Sequence, residues 1–239
     1  MNGFVGELIG TAILVLMGNG VVSNVLLTQS KGQNSGWIVI ATGWAFAVLA
    51  GVVAAVALGS QGHLNPAVTL AFYALGHFPG NEVLPYIAGQ VIGAFIGAVL
   101  VWITYLAHWK KTDDARIKLA CFSTGPAIRA PFSNMLTELI GTFVLVFLVV
   151  AIFTKAVGTT GVLGPLVVAL IVYGIGLSLG GPTGFAINPA RDFGARVAHA
   201  VLPIAGKGSS DWSYAWVPIV GPILGGIGAL GVARLAGMM

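Results

Sequence analysis

Charge is scarce in this chain of 239 residues: Asp, Glu, Lys and Arg together make up 8% of it. A soluble domain carries about 25%, so this chain cannot coat a globular surface with charge. At 57% hydrophobic it reads as a multi-pass integral membrane protein, lodged in lipid. Cysteine is scarcer still. Cys121 stands alone, which excludes an intrachain disulfide and a cysteine metal cluster. The histidines His63, His77, His108 and His199 are dispersed without metal-ligand spacing, so no metal and no cofactor is implied. Ser60 and His63 lack an acid nearby in sequence to orient them for hydrolysis, and no enzyme is expected. The net charge of +4 comes from scattered basic residues with no stripe, which argues against a nucleic-acid partner. A basic region before the first apolar run is also missing, so residues 1–5 read as the start of a spanning helix, not a cleaved signal. Glycine, by contrast, is plentiful at 35 residues. Small residues let membrane helices approach closely where lipid supplies no hydrophobic drive.

Two strings repeat. Asn65-Pro66-Ala67 returns as Asn188-Pro189-Ala190, and Glu7-Leu8-Ile9-Gly10-Thr11 returns letter for letter as Glu138-Leu139-Ile140-Gly141-Thr142. The similar offsets predict a duplicated half fused head to tail. A spanning helix needs about 20 mostly apolar residues. Six stretches suit that: 4–27, 36–58, 83–107, 133–155, 160–180 and 213–236. Two shorter apolar stretches, 66–77 and 189–201, follow the triplets and are too short to cross. Pro66 and Pro189 fit a first helical position, where a missing N–H costs nothing. Asn65 and Asn188 then fit as N-caps. The expectation is an all-α membrane protein of six transmembrane helices plus two re-entrant half-helices. Each half holds three spans, an odd number, so the second half is inverted and the half-helices meet N-terminus to N-terminus. Irregular backbone at that depth is tolerated only where it is buried in protein or lines a cavity, and 59–64 and 180–187 are such backbone. The first repeat covers about 1–107, a charged connecting loop 108–132, and the second repeat about 133–239, all in one domain.

The stretches Gly62-His63-Leu64-Asn65-Pro66-Ala67-Val68-Thr69 and Gly184-Phe185-Ala186-Ile187-Asn188-Pro189-Ala190-Arg191-Asp192 resemble the two signature loops of the aquaporin family over nearly the whole chain. Asp192, Arg196, Pro218 and Ile219 stand where the glycerol facilitator branch differs from water-selective members, and the set is similar to members from lactic acid bacteria. The resemblance implies a homotetramer in a bacterial plasma membrane, with one pore per protomer. It also implies a selectivity constriction of Trp44, Gly176, Phe185 and Arg191, with Ala45 as the competitor for the Trp44 position.

Each asparagine amide can donate to a passing hydroxyl while its carbonyl is held by backbone N–H groups. An arginine in an apolar span is functional by default. Opposite the aromatics it would make a slot with carbon on one wall and hydroxyls on the other. The bland alternative for Arg191 is a buried salt bridge with Asp192. Backbone carbonyls of Gln61, Gly62 and His63, and of Gly184, Phe185 and Ala186, are expected to line the pore. Glu7 and Glu138 are expected to support the irregular loops, and Asp192 the half-helix end or loop.

The resulting expectation is a passive channel for glycerol, water and similar small neutral solutes that excludes protons and ions. Within the channel class the alternative is a pore mainly for undissociated lactic acid, dihydroxyacetone or hydrogen peroxide. Ion-coupled secondary transporters also use inverted repeats and broken helices, and a structural protein with a closed pore is the third class. Counting basic residues near span ends would put 108–132, with five of the 11, in the cytoplasm. The resemblance implies the reverse, with that loop outside and both termini inside.

Overall fold

The computed structural model describes residues 3–154, 156–158, 161 and 163–238. The expected span ends at 155 and 160, and the expected helix start at residues 1 and 2, lie outside them. Ten helices and no strand occur among the described residues. They are α1 (Gly3–Leu26), α2 (Trp37–Ala57), α3 (Pro66–Ala74), α4 (Gly80–Thr104), α5 (Leu106–Trp109), α6 (Ala115–Ala120), α7 (Pro131–Ile152), α8 (Leu163–Leu179), α9 (Pro189–Val201) and α10 (Val217–Leu235). Five of these, α1, α2, α4, α7 and α10, are long and apolar enough to cross a membrane, while α8 is apolar but has 17 residues. Closing every backbone hydrogen bond within the segment is what makes helices the stable form for such sequences in lipid.

The structure corrects several expected boundaries. The first half-helix stops at Ala74 instead of running to residue 77, because Gly76 turns the chain with φ 76° and Pro79 follows. The connecting loop is partly helical: Asp114 Oδ1 accepts from Arg116 N at 2.8 Å and starts α6. The last span begins at Val217, four residues late, because the 211–216 segment makes turns that bury Tyr214.

Packing repeats as the letters do. Gly93 on α4 lies so close to α1 that a Cβ there would sit 2.3 Å from the Leu8 carbonyl oxygen. Gly225 on α10 meets α7 the same way, 2.2 Å from the Leu139 oxygen. Their neighbours four residues earlier, Gly89 and Gly221, would touch the Cβ atoms of Glu7 and Glu138. Small residues four apart permit this backbone approach. The half-helices are exchanged between halves: α3 packs on α10, and α9 on α4. Helices α2 and α8 pack on each other. Both triplets are thereby brought to the centre of the molecule.

Candidate functional site: a cavity through the centre of the bundle

Each triplet is held by its own N-cap. Asn65 Oδ1 accepts from Ala67 N at 2.9 Å; Asn188 Oδ1 accepts from Ala190 N at 3.0 Å and Arg191 N at 3.2 Å. The amide nitrogens cross over. Asn65 Nδ2 donates to the Ile187 carbonyl and Asn188 Nδ2 to the Leu64 carbonyl, both at 2.7 Å. One N–H of each amide thus ties the halves together, and the other remains for the cavity that both asparagines line.

The residues before the triplets, Leu64 and Ile187, have φ of 51° and 42°. This left-handed backbone is unfavourable for non-glycine residues and most of all for a β-branched one. Side chains hold it from both ends. Glu7 Oε2 accepts from Leu64 N at 2.7 Å, and Glu138 Oε2 from Ile187 N at 2.7 Å. The other carboxylate oxygens accept from His63 N at 2.9 Å and from Ala186 N at 3.0 Å. Ser60 donates to Glu7, and Thr183 Oγ1 to Glu138 at 2.6 Å. Gln90 adds a fourth donor to Glu7 at 2.7 Å. By the glycine register its counterpart on α10 is Pro222, which has no such group. Both carboxylates are therefore spent on backbone and hydroxyl donors beside the irregular segments. The Ser60 hydroxyl is turned to Glu7, away from His63, whose Nδ1 lies 3.1 Å from Thr69 Oγ1.

The cavity has a volume of about 500 Å³. Its lining includes Trp44, Phe185 and Arg191, both asparagines, Ser60, Gln61, Gly62, His63 and Phe72, and Phe153 and Pro165. Ala186 and Ile187 also reach it, while Gly176 and Gly184 are not among its lining residues. Between the polar groups the wall is aliphatic, with Val48, Val52, Val68 and Leu145.

Trp44, and not Ala45, lines the cavity and forms a corner of it with Phe185 and Arg191. Its ring meets Phe185 edge-on at 6.4 Å, and the Arg191 guanidinium carbon lies over it at 4.2 Å. Gly18 makes the room, since a Cβ there would lie 2.3 Å from the indole. Arg191 is 5% exposed, yet among the described residues its guanidinium has no hydrogen bond and no ion pair. Its donors face the cavity. The Arg191–Asp192 salt bridge does not form, because Asp192 has other partners. Asp192 pairs with Arg196 at 2.8 Å and accepts from the Thr124 N–H and hydroxyl, both at 2.7 Å. Arg196 goes on to donate to the carbonyls of Thr124 and Ser210, each at 2.9 Å. This pair ties the 121–130 and 203–213 segments to the start of α9.

Gly176 packs against the Phe185 ring of this corner. A Cβ there would lie 3.1 Å from the Phe185 ring and 3.3 Å from Ala41 Cβ. Gly176→His is therefore expected to overpack the Phe185 ring and push it into the cavity, which would cut passage of a polyol more than passage of water. Solute-specific swelling of proteoliposomes checks this; equal losses for the two solutes would show that the Gly176 position does not set the width at Phe185.

Sequence reading missed Thr183, Thr124 and Gln90. Ser60 and Thr183 each stand five residues before their asparagine, a matched hydroxyl that the repeat alone could have revealed.

Comparison with known proteins gives the following. The family described as major intrinsic protein matches residues 1–232. The chain is 56% identical to a probable glycerol uptake facilitator protein of Thermotoga maritima, over 95% of this chain and 96% of that one. It is 56% identical to glycerol uptake facilitator protein 3 of Lactiplantibacillus plantarum, over 94% of this chain and 93% of the other. The X-ray structure of the aquaglyceroporin from Plasmodium falciparum superposes with a TM-score of 0.87 at 29% identity, covering 97% of this chain and 94% of that one.

Proposed function

The chain belongs to the major intrinsic protein family, and we propose that it is a passive channel for glycerol, water and other small neutral solutes across a bacterial plasma membrane. The observation that carries this reading is the unpaired guanidinium of Arg191 facing an aromatic corner at the end of a cavity that leads to both asparagine amides. A polyol has the matching form, a carbon edge for Trp44 and Phe185 and hydroxyls for Arg191. Beyond the corner, hydroxyls meet the Asn65 and Asn188 donors and the backbone around Gln61 to His63. The aliphatic wall keeps each binding step weak enough for exit.

The proposed topology is six spans, with α8 as the sixth, and α3 and α9 as re-entrant half-helices in an inverted repeat. The exchange of the half-helices between halves and the reciprocal asparagine bonds support it. Their N-termini then point at one another, each with roughly half a positive charge. A cation at that point meets a barrier that a neutral solute does not. We take the protein to be a single channel domain, a homotetramer with one pore per protomer, and without catalytic activity.

Purified protein in liposomes is expected to speed glycerol entry in stopped-flow light scattering, at a rate indifferent to imposed proton or sodium gradients, and to carry no current. Uptake driven by either gradient would favour the coupled transporter. Absence of flux would favour a closed structural protein.

A further inference from the structure

We propose that Trp37 is a positioning residue of the constriction: from behind the wall it holds the Phe185 ring and the Gly176 carbonyl, and so sets the width offered to a polyol. The inference rests on the constriction reading above. Trp37 opens α2 and does not line the cavity. Its Nε1 donates to the Gly176 carbonyl at 2.9 Å. Gly176 lies in the last turn of α8, where the ladder of helical hydrogen bonds ends. The indole meets the Phe185 ring edge-on at 5.7 Å, with planes at 81°. Phe185 is thus gripped between two indoles, Trp37 behind and Trp44 in front.

The grip has work to do. Phe185 has a φ of 39°, so its backbone does not favour its own position. Its ring lies over two glycines that add no side chain to fix it: a Cβ at Gly180 would fall 2.6 Å from Phe185 Cδ1 and 2.7 Å from the Trp37 ring. On that face the two indoles meet the ring edge-on. A tryptophan that is 39% exposed would otherwise pass for an interfacial anchor. An anchor has no reason to bond α8 and touch the ring that faces the cavity.

The measurement is the erythritol-to-glycerol permeability ratio in proteoliposomes, with folded protein followed by thermal unfolding in detergent. Trp37→Ala is expected to raise the ratio by roughly threefold, the scale of a lost aromatic edge contact. Trp37→Phe, which keeps a ring edge but loses the N–H, should raise it less. A ratio at or below the parent's in every variant that folds overturns the proposal. So does loss of folded protein in both variants, which would make Trp37 a structural anchor. Phe185→Ala runs alongside: if that variant also keeps the parent's ratio, the constriction reading has failed; if it alone changes the ratio, only the role of Trp37 has.

Discussion

Replacing Arg191 with valine is expected to give a folded channel that admits cations up to about a hundredfold faster. A unit charge about 5 Å from a permeating cation, at an effective dielectric of about 20, opposes it by about 3 kcal/mol. That is roughly a hundredfold in rate, reached only if the half-helix barrier at the asparagines is not itself limiting. Glycerol should still pass but with less preference over urea, because the hydroxyl donors of the corner are gone while the two aromatic walls remain. The reason to expect a folded protein is specific. Breaking a buried ion pair costs about 3–5 kcal/mol, because the abandoned partner stays charged. Among the described residues Arg191 makes no direct ion pair to break: the adjacent Asp192 is committed to Arg196 and Thr124, and the buried Glu138 carboxylate keeps its Thr183, Ala186 and Ile187 donors. Thermal unfolding in detergent and relative proton, urea and glycerol permeability in vesicles are to be measured on the same preparation. A stable variant with unchanged selectivity would remove Arg191 from the permeation path.

Arginine and asparagine were legible because their cues are local. A proline after an asparagine fixes the N-cap, the repeat doubles the cue, and Arg191 directly follows the triplet on the same helix. Glu7 and Glu138 were legible by identity of the repeated letters. The residue opposite Arg191 was not. It comes from α2, and its register to the loop depends on 59–64, where Gly59 and Gly62 take positive φ and the chain advances irregularly. Counting residues through such a segment favours Trp44 but leaves Ala45 as its competitor. The Trp44 indole takes the corner because Gly18 on α1 leaves a space for it, a tertiary fact. Gly176 shows a different limit. Its place near the constriction could be inferred by resemblance, but its contact beneath the Phe185 ring arises only in the tertiary packing of α8. Thr124 was hidden for a further reason: a hydroxyl in a connecting segment has no periodicity, and its partner Asp192 is 68 residues away. The asparagine amides repeat the point in milder form. Their donors were expected to face the lumen, and half of that capacity is instead spent across the molecule on Ile187 and Leu64.

Removing the Glu138 carboxylate is expected to cost folded protein, not coupling. Glu138→Ala leaves the Ile187 and Ala186 N–H groups and the Thr183 hydroxyl without their acceptor in a dry site. Unsatisfied buried donors cost about 1–3 kcal/mol each, so the total is of order 3 kcal/mol or more. At about 2–4 °C per kcal/mol for a chain of this size, unfolding should move down by roughly 5 °C or more. Ile187 makes the loss sharper, because the carboxylate is one of two groups that hold its left-handed backbone; the other is the Asn65 amide. Loss of that hold should displace the Ile187 carbonyl and, through it, the Asn65 side chain across the cavity. Glu138→Gln should lie between the parent and the alanine variant. Its amide oxygen can replace one carboxylate oxygen, but its NH2 group then faces a backbone N–H, donor against donor. A coupled transporter predicts the opposite pattern. There the carboxylate would carry the proton, so Glu138→Gln would keep parental stability while uptake lost its response to a proton gradient. Unfolding temperature and gradient dependence, read together for the two variants, separate these outcomes. Parental stability in Glu138→Ala with intact glycerol flux would show that the irregular segment holds its shape without the carboxylate.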